Sequence, residues 1–266
     1  MSSLEQQIAE LNSQLASEVF RHADLVGDYF DAQAEALSDV RANRMIQVGD
    51  RLQVPPPLLP SAARARLERR HLAFRRALDE VFDRRMGGQW GRLADELRLD
   101  DATRRYIDYS RRPRWATLGR PDCVLTGDVI TMVEPNAGSS CGAMPDIDIL
   151  GRIFESAPVL GDLLRARGAV RPDAMAAVAA LLRGRLRGAG RAADGLVIVS
   201  ELASEWSDGG VNYCDVFAAE LRRHGIRAEA CAVEDLILGP GPVTWRRQRV
   251  DLIYRTWGEQ PDPAGQ

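Results

Sequence analysis

The sequence predicts an α/β (α+β) protein with a helical first third, a β-hairpin in the middle and a small Rossmann-like α/β unit near the end. Three observations carry that reading. Apolar residues recur at spacings of three and four through the opening segment. Two short apolar runs flank Thr126-Gly127-Asp128. Between Gly195 and Tyr254, compact apolar runs alternate with one amphipathic helix.

Leu4, Ile8, Leu11, Leu15 and Val19 form one stripe of a long helix that the spacing extends toward Arg41. Pro55-Pro56-Pro57 excludes helix, because proline lacks the donor and clashes with the preceding turn. A second helix, Ala63 to Arg85, has Leu67, Leu72 (or His71), Phe74, Leu78, Val81 and Phe82 as its buried face. Its arginines interleave with Glu68, Asp79, Glu80 and Asp83, which makes a solvated, ion-paired surface the better reading than a phosphate site. A third helix covers Trp90 to Tyr109. After the hairpin come a Gly/Ser-rich stretch, 137–143, and helices at Ile147–Glu155 and Asp173–Leu182; Arg183 to Asp194 reads as a linker.

Gly195–Ser200 is a continuous apolar run, the mark of a strand covered on both faces. Tyr213–His224 is a helix closed by Gly225, Ile226–Val233 a second strand and Val250–Tyr254 a third. This part has no G-x-G-x-x-G, so a dinucleotide site is not expected. The expected division is a helical region 1–117, the hairpin with its following helices 118–188, the α/β unit 189–258 and a tail 259–266.

The 266 residues carry a net charge of −3, which gives no support to nucleic-acid or acidic-membrane partners. All 35 basic residues are arginine; a codon bias explains this best. Four scattered cysteines and three histidines, with no C-x-x-C, argue against zinc or iron–sulfur sites. His22, His71 and His224 fall on helical stretches and read as packing or surface residues. The polar start MSSLEQQIAEL is unlike a signal peptide, and no apolar run would span a bilayer, so the expected location is the cytoplasm.

The chemistry concentrates between Leu118 and Asn136. If the hairpin loop is the three residues 126–128, Asp122 pairs with Met132, and Arg120, Asp122, Glu134 and Asn136 project from one face. A two-residue loop puts Asp122 and Glu134 on opposite faces, so a shared function predicts the odd-length loop. Two carboxylates and an amide oxygen make a hard-oxygen set suited to magnesium, and an adjacent guanidinium suits phosphate. On residue types alone, a charged face on an exposed hairpin accounts for the same pattern.

Asp122, followed twelve residues later by Glu134-Pro135-Asn136, resembles the metal signature of ATP-grasp ligases. Arg120, two residues before the aspartate, is similar to the circularly permuted branch that includes glutathionylspermidine synthetase. So are the small loop Ala137-Gly-Ser139-Ser140-Cys141-Gly142 and the tail with Asp235-Leu236 and Asp251-Leu-Ile-Tyr-Arg255. The resemblance covers about 118–258. It implies a carboxylate–amine ligase using ATP and Mg2+, with Asp122, Glu134 and Asn136 as metal ligands and Arg120 as the catalytic phosphoryl contact. Ser139 and Ser140 would contact the acyl substrate; substrates would be small-molecule or peptide carboxylates and amines. In that branch the phosphate-holding lysines follow this region, and the chain has no lysine. The resemblance therefore implies half an active site, completed by a missing half or a partner chain. The rival expectation is a non-catalytic binding or regulatory subunit; a helical interaction protein working through residues 1–110 is a weaker third. Trp206-Ser-Asp208-Gly-Gly210, Arg255 and Trp257 are minor candidates for a cleft, and Cys141 has no activating neighbour in sequence.

Overall fold

A computed structural model describes residues 2–33, 54–101, 103–104, 118–137, 144–206 and 212–256. In chain order the elements are α1 (Leu4–Phe20), α2 (Ala23–Ala32), α3 (Ser61–Arg85), α4 (Trp90–Glu96), β1 (Gly119–Thr126), β2 (Val129–Ala137), α5 (Met144–Ser156), α6 (Leu160–Ala166) and α7 (Ala174–Gly188). There follow β3 (Val197–Glu201), α8 (Tyr213–Arg223), β4 (Ala228–Ala232), β5 (Thr244–Trp245), β6 (Gln248–Arg249) and β7 (Leu252–Arg255). The mixed helix-and-strand class expected from the sequence is what forms. The chain divides into two compact units, each discontinuous in sequence: Met1–Ile8 with Leu59–Gly138 and Gly258–Gln266, and Ala9–Leu58 with Ser139–Trp257.

In the first unit, the start of α1 is fixed by a capping box. Ser3 Oγ accepts from Gln6 N at 3.2 Å, and Gln6 Oε1 accepts from Ser3 N at 2.9 Å, satisfying two donors a helix start leaves open. Leu4, Ala63 and Ile130 form the core here, with Ile8, Leu67 and Leu125 against them. Phe82 is buried on α3 with its ring 4.5 Å from that of Trp90. The expected face of α3 was too wide: Leu72 and Val81 are about half exposed. The helix is long and charged, and only one narrow stripe of it finds apolar partners. The expected helix Trp90–Tyr109 is interrupted after Leu97, where Arg98 adopts a left-handed φ of 52°, and helix resumes at Asp101, Thr103 and Arg104. Residues 105–109 lie outside the described set.

In the second unit, the sequence stripe continues as Leu15 and Val19, buried with Val26 against Phe154, Leu160 and Leu164. The single long opening helix is instead two, broken at Arg21-His22. The reading of Arg183–Asp194 as a linker is also corrected, since α7 runs on to Gly188. Leu182 and Leu186 are buried and anchor it, and arginine is a good helix former; Gly184 and Gly188 disguised the pattern. Asp148, on α5, ties this layer together. Its Oδ1 accepts from Arg171 Nη1 at 2.7 Å and Ala174 N at 3.2 Å, and its Oδ2 from Met175 N at 2.8 Å, so a buried carboxylate caps α7 from another helix. Arg171 reaches it by crossing Gly151, where a Cβ would lie 1.9 Å from the Arg171 Cδ.

The same unit contains a three-stranded parallel sheet in the order β4-β3-β7. Val197, Ile198 and Val199 are fully buried, as a strand covered on both faces must be. On one face lies α8, with Phe217 4.7 Å from Tyr254. The other face, Leu196 and Ile198 with Cys231, is covered by Leu236, Trp245 and Val250. Trp245 arrives on the β5–β6 hairpin, an element the prolines at 240 and 242 concealed. Its two-residue turn places Arg246 at φ 47° and Arg247 at φ 65°. Glycine and asparagine occupy that conformation readily, and larger side chains do not. The double change Arg246→Asn, Arg247→Gly should therefore stabilise the protein by about 1–2 kcal/mol, read as a higher urea midpoint at unchanged slope.

Candidate functional site

The hairpin builds the candidate site, and it does so by a route other than the expected one. Thr126 pairs with Val129, leaving a two-residue turn of Gly127 and Asp128 in place of the three-residue loop. Gly127 has φ 61°, the left-handed value a turn with glycine first requires. Continued regularly, this register would pair Asp122 with Val133 and send Glu134 to the other face. A β-bulge intervenes: Cys123 pairs with Met132, but Asp122 pairs with Glu134 and Arg120 with Asn136. Val133 is the extra residue. The bulge restores the parity that the turn removed, and all four polar residues project from one face.

Helix α1 decides the turn. Leu4 N donates to Asp128 Oδ1 at 2.8 Å, Gly127 N donates to Glu5 Oε2 at 2.6 Å, and Glu5 N donates to Gly127 O at 3.0 Å. Arg66 on α3 donates to Asp128 O at 3.0 Å. The hairpin tip is thus pinned to a helix start, where a carboxylate is favoured. Inward residues Leu125 and Ile130 pack on Leu4 and Ala63, so the opposite face is the one turned to solvent.

On that face Asn136 Nδ2 donates to Asp122 Oδ2 at 3.2 Å, and Arg120 Nε lies 3.5 Å from Asp122 Oδ1. The Arg120 and Asp122 side chains are about half exposed, and Glu134 is exposed opposite Asp122. The donor set fits a magnesium ion in its chemistry: two carboxylates and an amide whose oxygen joins them after a half-turn of the group, with open positions left for water or phosphate oxygens. Val124, Val129 and Val133 are more than half exposed, so apolar surface adjoins the polar group. Ser139, Ser140 and Cys141 lie outside the described residues, as do Asp208–Gly210 and Trp257. Trp206 is half-buried and Arg255 exposed in the other unit.

No family model, curated protein or solved structure matches the chain.

A second acidic group was not legible in the sequence. Asp148, Asp173 and His224 bring ligand atoms within 4.8 Å of one another. Their oxygens already have partners: Asp148 holds Arg171 and the α7 start, and Asp173 Oδ1 accepts from Ala176 N at 2.8 Å as the helix N-cap. Burial pushes the Asp148 carboxyl above its ordinary range, against the backbone bond from Met175, while the Ala176 bond holds Asp173 below it. The arrangement is that of a helix cap.

Cys214 and Cys231, the described cysteines outside the hairpin, are inert by burial. Desolvation pushes the Cys214 thiol up to about 12 and Cys231 up to about 11. Cys123 is exposed on β1. Iodoacetamide at pH 8 should therefore modify Cys123 in the native protein and spare Cys214 and Cys231 until denaturant is added, as peptide mass mapping would show. Among the described residues, no helix is long and apolar enough to cross a membrane.

Proposed function

We propose that the hairpin is the magnesium–phosphate side of a partial ATP-grasp ligase that joins a carboxylate to an amine. One observation carries the proposal: a β-bulge returns Arg120, Asp122, Glu134 and Asn136 to a single exposed face that a two-residue turn alone would have divided. Asp122, Glu134 and Asn136 would hold Mg2+, which supplies charge neutralisation for the β- and γ-phosphates of ATP. Arg120, beside Asp122, has the fork geometry and permanent charge to contact a transferring phosphoryl group. In the reaction, a carboxylate takes the γ-phosphoryl group, and the amine displaces phosphate from the acyl phosphate to form the amide. Ser139 and Ser140 belong to this reading as acyl-substrate contacts.

Two features support a need for further protein. The hairpin is a two-stranded sheet whose outer edges pair with no other strand among the described residues, and its solvent face carries three exposed valines. The chain also has no lysine to hold ATP phosphates. A partner chain or further segment would supply them. A second reading follows from that same lack of lysine: an ATP-grasp-derived binding or regulatory subunit, without catalysis of its own. The Rossmann-like, pre-ATP-grasp character of the parallel sheet and a cytoplasmic location belong to the proposal as well.

Calorimetric titration with Mg-ATP tests the assignment. Binding that persists unchanged when Asp122 and Glu134 are both alanine removes it. No Mg-ATP binding by the unaltered chain favours the regulatory reading.

A further inference from the structure

At the carboxyl ends of β3 and β4 the second unit has a cleft of about 670 Å3. Its position follows from topology. The chain leaves β3 to form β4 on one side, then returns across β3 to form β7 on the other, and the connecting loops diverge at the carboxyl ends. Ala203–Glu205 follows β3 and Val233–Asp235 follows β4, each a short 3-10 turn. Glu234 Oε2 accepts from Ala203 N at 2.9 Å and ties the two together. The β5–β6 hairpin adds a third wall.

The lining combines opposite charges with flat apolar surface. Arg246 brings a guanidinium, held 4.4 Å over the Trp245 ring, and Asp215 and Asp235 bring carboxylates. Asp235, Arg246 and Cys231 all line this one cleft. Trp206 and the methyl groups of Ala230 and Ala232 supply apolar contact. One guanidinium against two carboxylates leaves the cleft with a negative balance, which disfavours a polyphosphate and favours a ligand bearing an ammonium.

A further observation marks the place as more than a surface hollow. Arg246 and Arg247 keep left-handed backbone that asparagine and glycine would occupy without strain, and strain of this kind collects at ligand sites.

We propose that this cleft binds a free zwitterionic α-amino acid, with its carboxylate on Arg246 and its ammonium toward Asp215 and Asp235. The apolar side chain lies against Trp206 and the alanines. The site uses the α/β unit alone and does not depend on the hairpin.

The test is titration of the full chain with leucine and with phenylalanine, followed by tryptophan fluorescence and calorimetry. Isoamylamine and 4-methylpentanoate serve as the amine-only and carboxylate-only halves of leucine. Saturable binding of at least one amino acid is expected, with each half weaker by about tenfold or more. Asp235→Asn should weaken the amino acid by a similar factor. The decisive variant is Arg246→Asn with Arg247→Gly, which should fold, gain stability and lose binding by about tenfold or more. Asp122→Ala should leave amino-acid binding unchanged, which separates this site from the hairpin. The proposal is overturned if neither amino acid binds, if either half binds as well as leucine, or if the stabilised double variant binds as well as the unaltered chain.

Discussion

Arg152→Ala should destabilise the protein by about 3 kcal/mol, the low end of what breaking a buried ion pair costs. Arg152 on α5 donates to both carboxylate oxygens of Glu220 on α8, Nη1 to Oε2 at 2.9 Å and Nη2 to Oε1 at 2.7 Å. The Glu220 side chain is only 7% exposed, whereas that of Arg152 is 30% exposed. Removing the arginine therefore leaves a carboxylate in a poorly solvated place with its best partner gone. Arg223 Nε stands 3.8 Å from the same carboxylate and is largely exposed, so it can soften the loss but not replace a two-pronged bond. The converse change, Glu220→Gln, should cost less, because the guanidinium left behind reaches water. A joint replacement, Arg152→Met with Glu220→Leu, should recover most of the loss, since apolar groups of similar volume need no pairing. Urea unfolding of the three variants checks the order. Arg152→Ala within about 0.5 kcal/mol of the parent would mean the pair contributes nothing.

The second large effect concerns binding. On the proposed ligase reading, replacing Asp122 and Glu134 together by alanine should reduce magnesium-dependent ATP affinity by about 100-fold or more, since even groups that only orient metal ligands cost 10–100-fold when lost. The same double change should leave stability within about 0.5 kcal/mol, because Asp122 is half exposed and Glu134 is exposed. That dissociation between binding and stability is the signature of a site. A charged surface of no function would show neither effect. Asp128→Ala makes the contrasting control: its carboxylate accepts from Leu4 N, so its loss should act on the hairpin's anchoring to α1.

Several elements were legible in residue order alone. The stripe Leu4, Ile8, Leu11, Leu15, Val19 predicts a helix, and Leu4, Leu15 and Val19 are buried, because a spacing of three and four puts side chains on one face whatever they meet. The apolar run at 195–200 predicts a doubly covered strand, and Val197–Val199 are fully buried. The run from Arg120 to Asn136 predicts a hairpin; the shared face of its polar groups was expected from a three-residue loop, and a two-residue turn with a bulge forms instead. The bulge was not legible. A bulge has no strong local composition; it appears where two stretches of a strand are held in registers that differ by one residue. Here the tip register is fixed by contacts from Leu4, Glu5 and Arg66, which are 62 or more positions away from their hydrogen-bond partners in the turn.

Other misses share that cause. Gly184 and Gly188 suggested a linker where two buried leucines hold a helix, since propensity yields to packing. Asp148 is one acid among 38 acidic residues in sequence; only the approach of α5 to the start of α7 makes it a cap. Arg246-Arg247 has none of the residues that announce a tight hairpin turn.

Residue order by itself determined the helical periodicity, the buried central strand, the hairpin and the chemical identity of its polar groups. All of these follow from interactions within a few positions along the chain. The tertiary structure decided which face those groups occupy, which carboxylates cap helices and where the charged cleft opens. Each of these depends on backbone groups remote in sequence being satisfied together, and no local pattern encodes that condition.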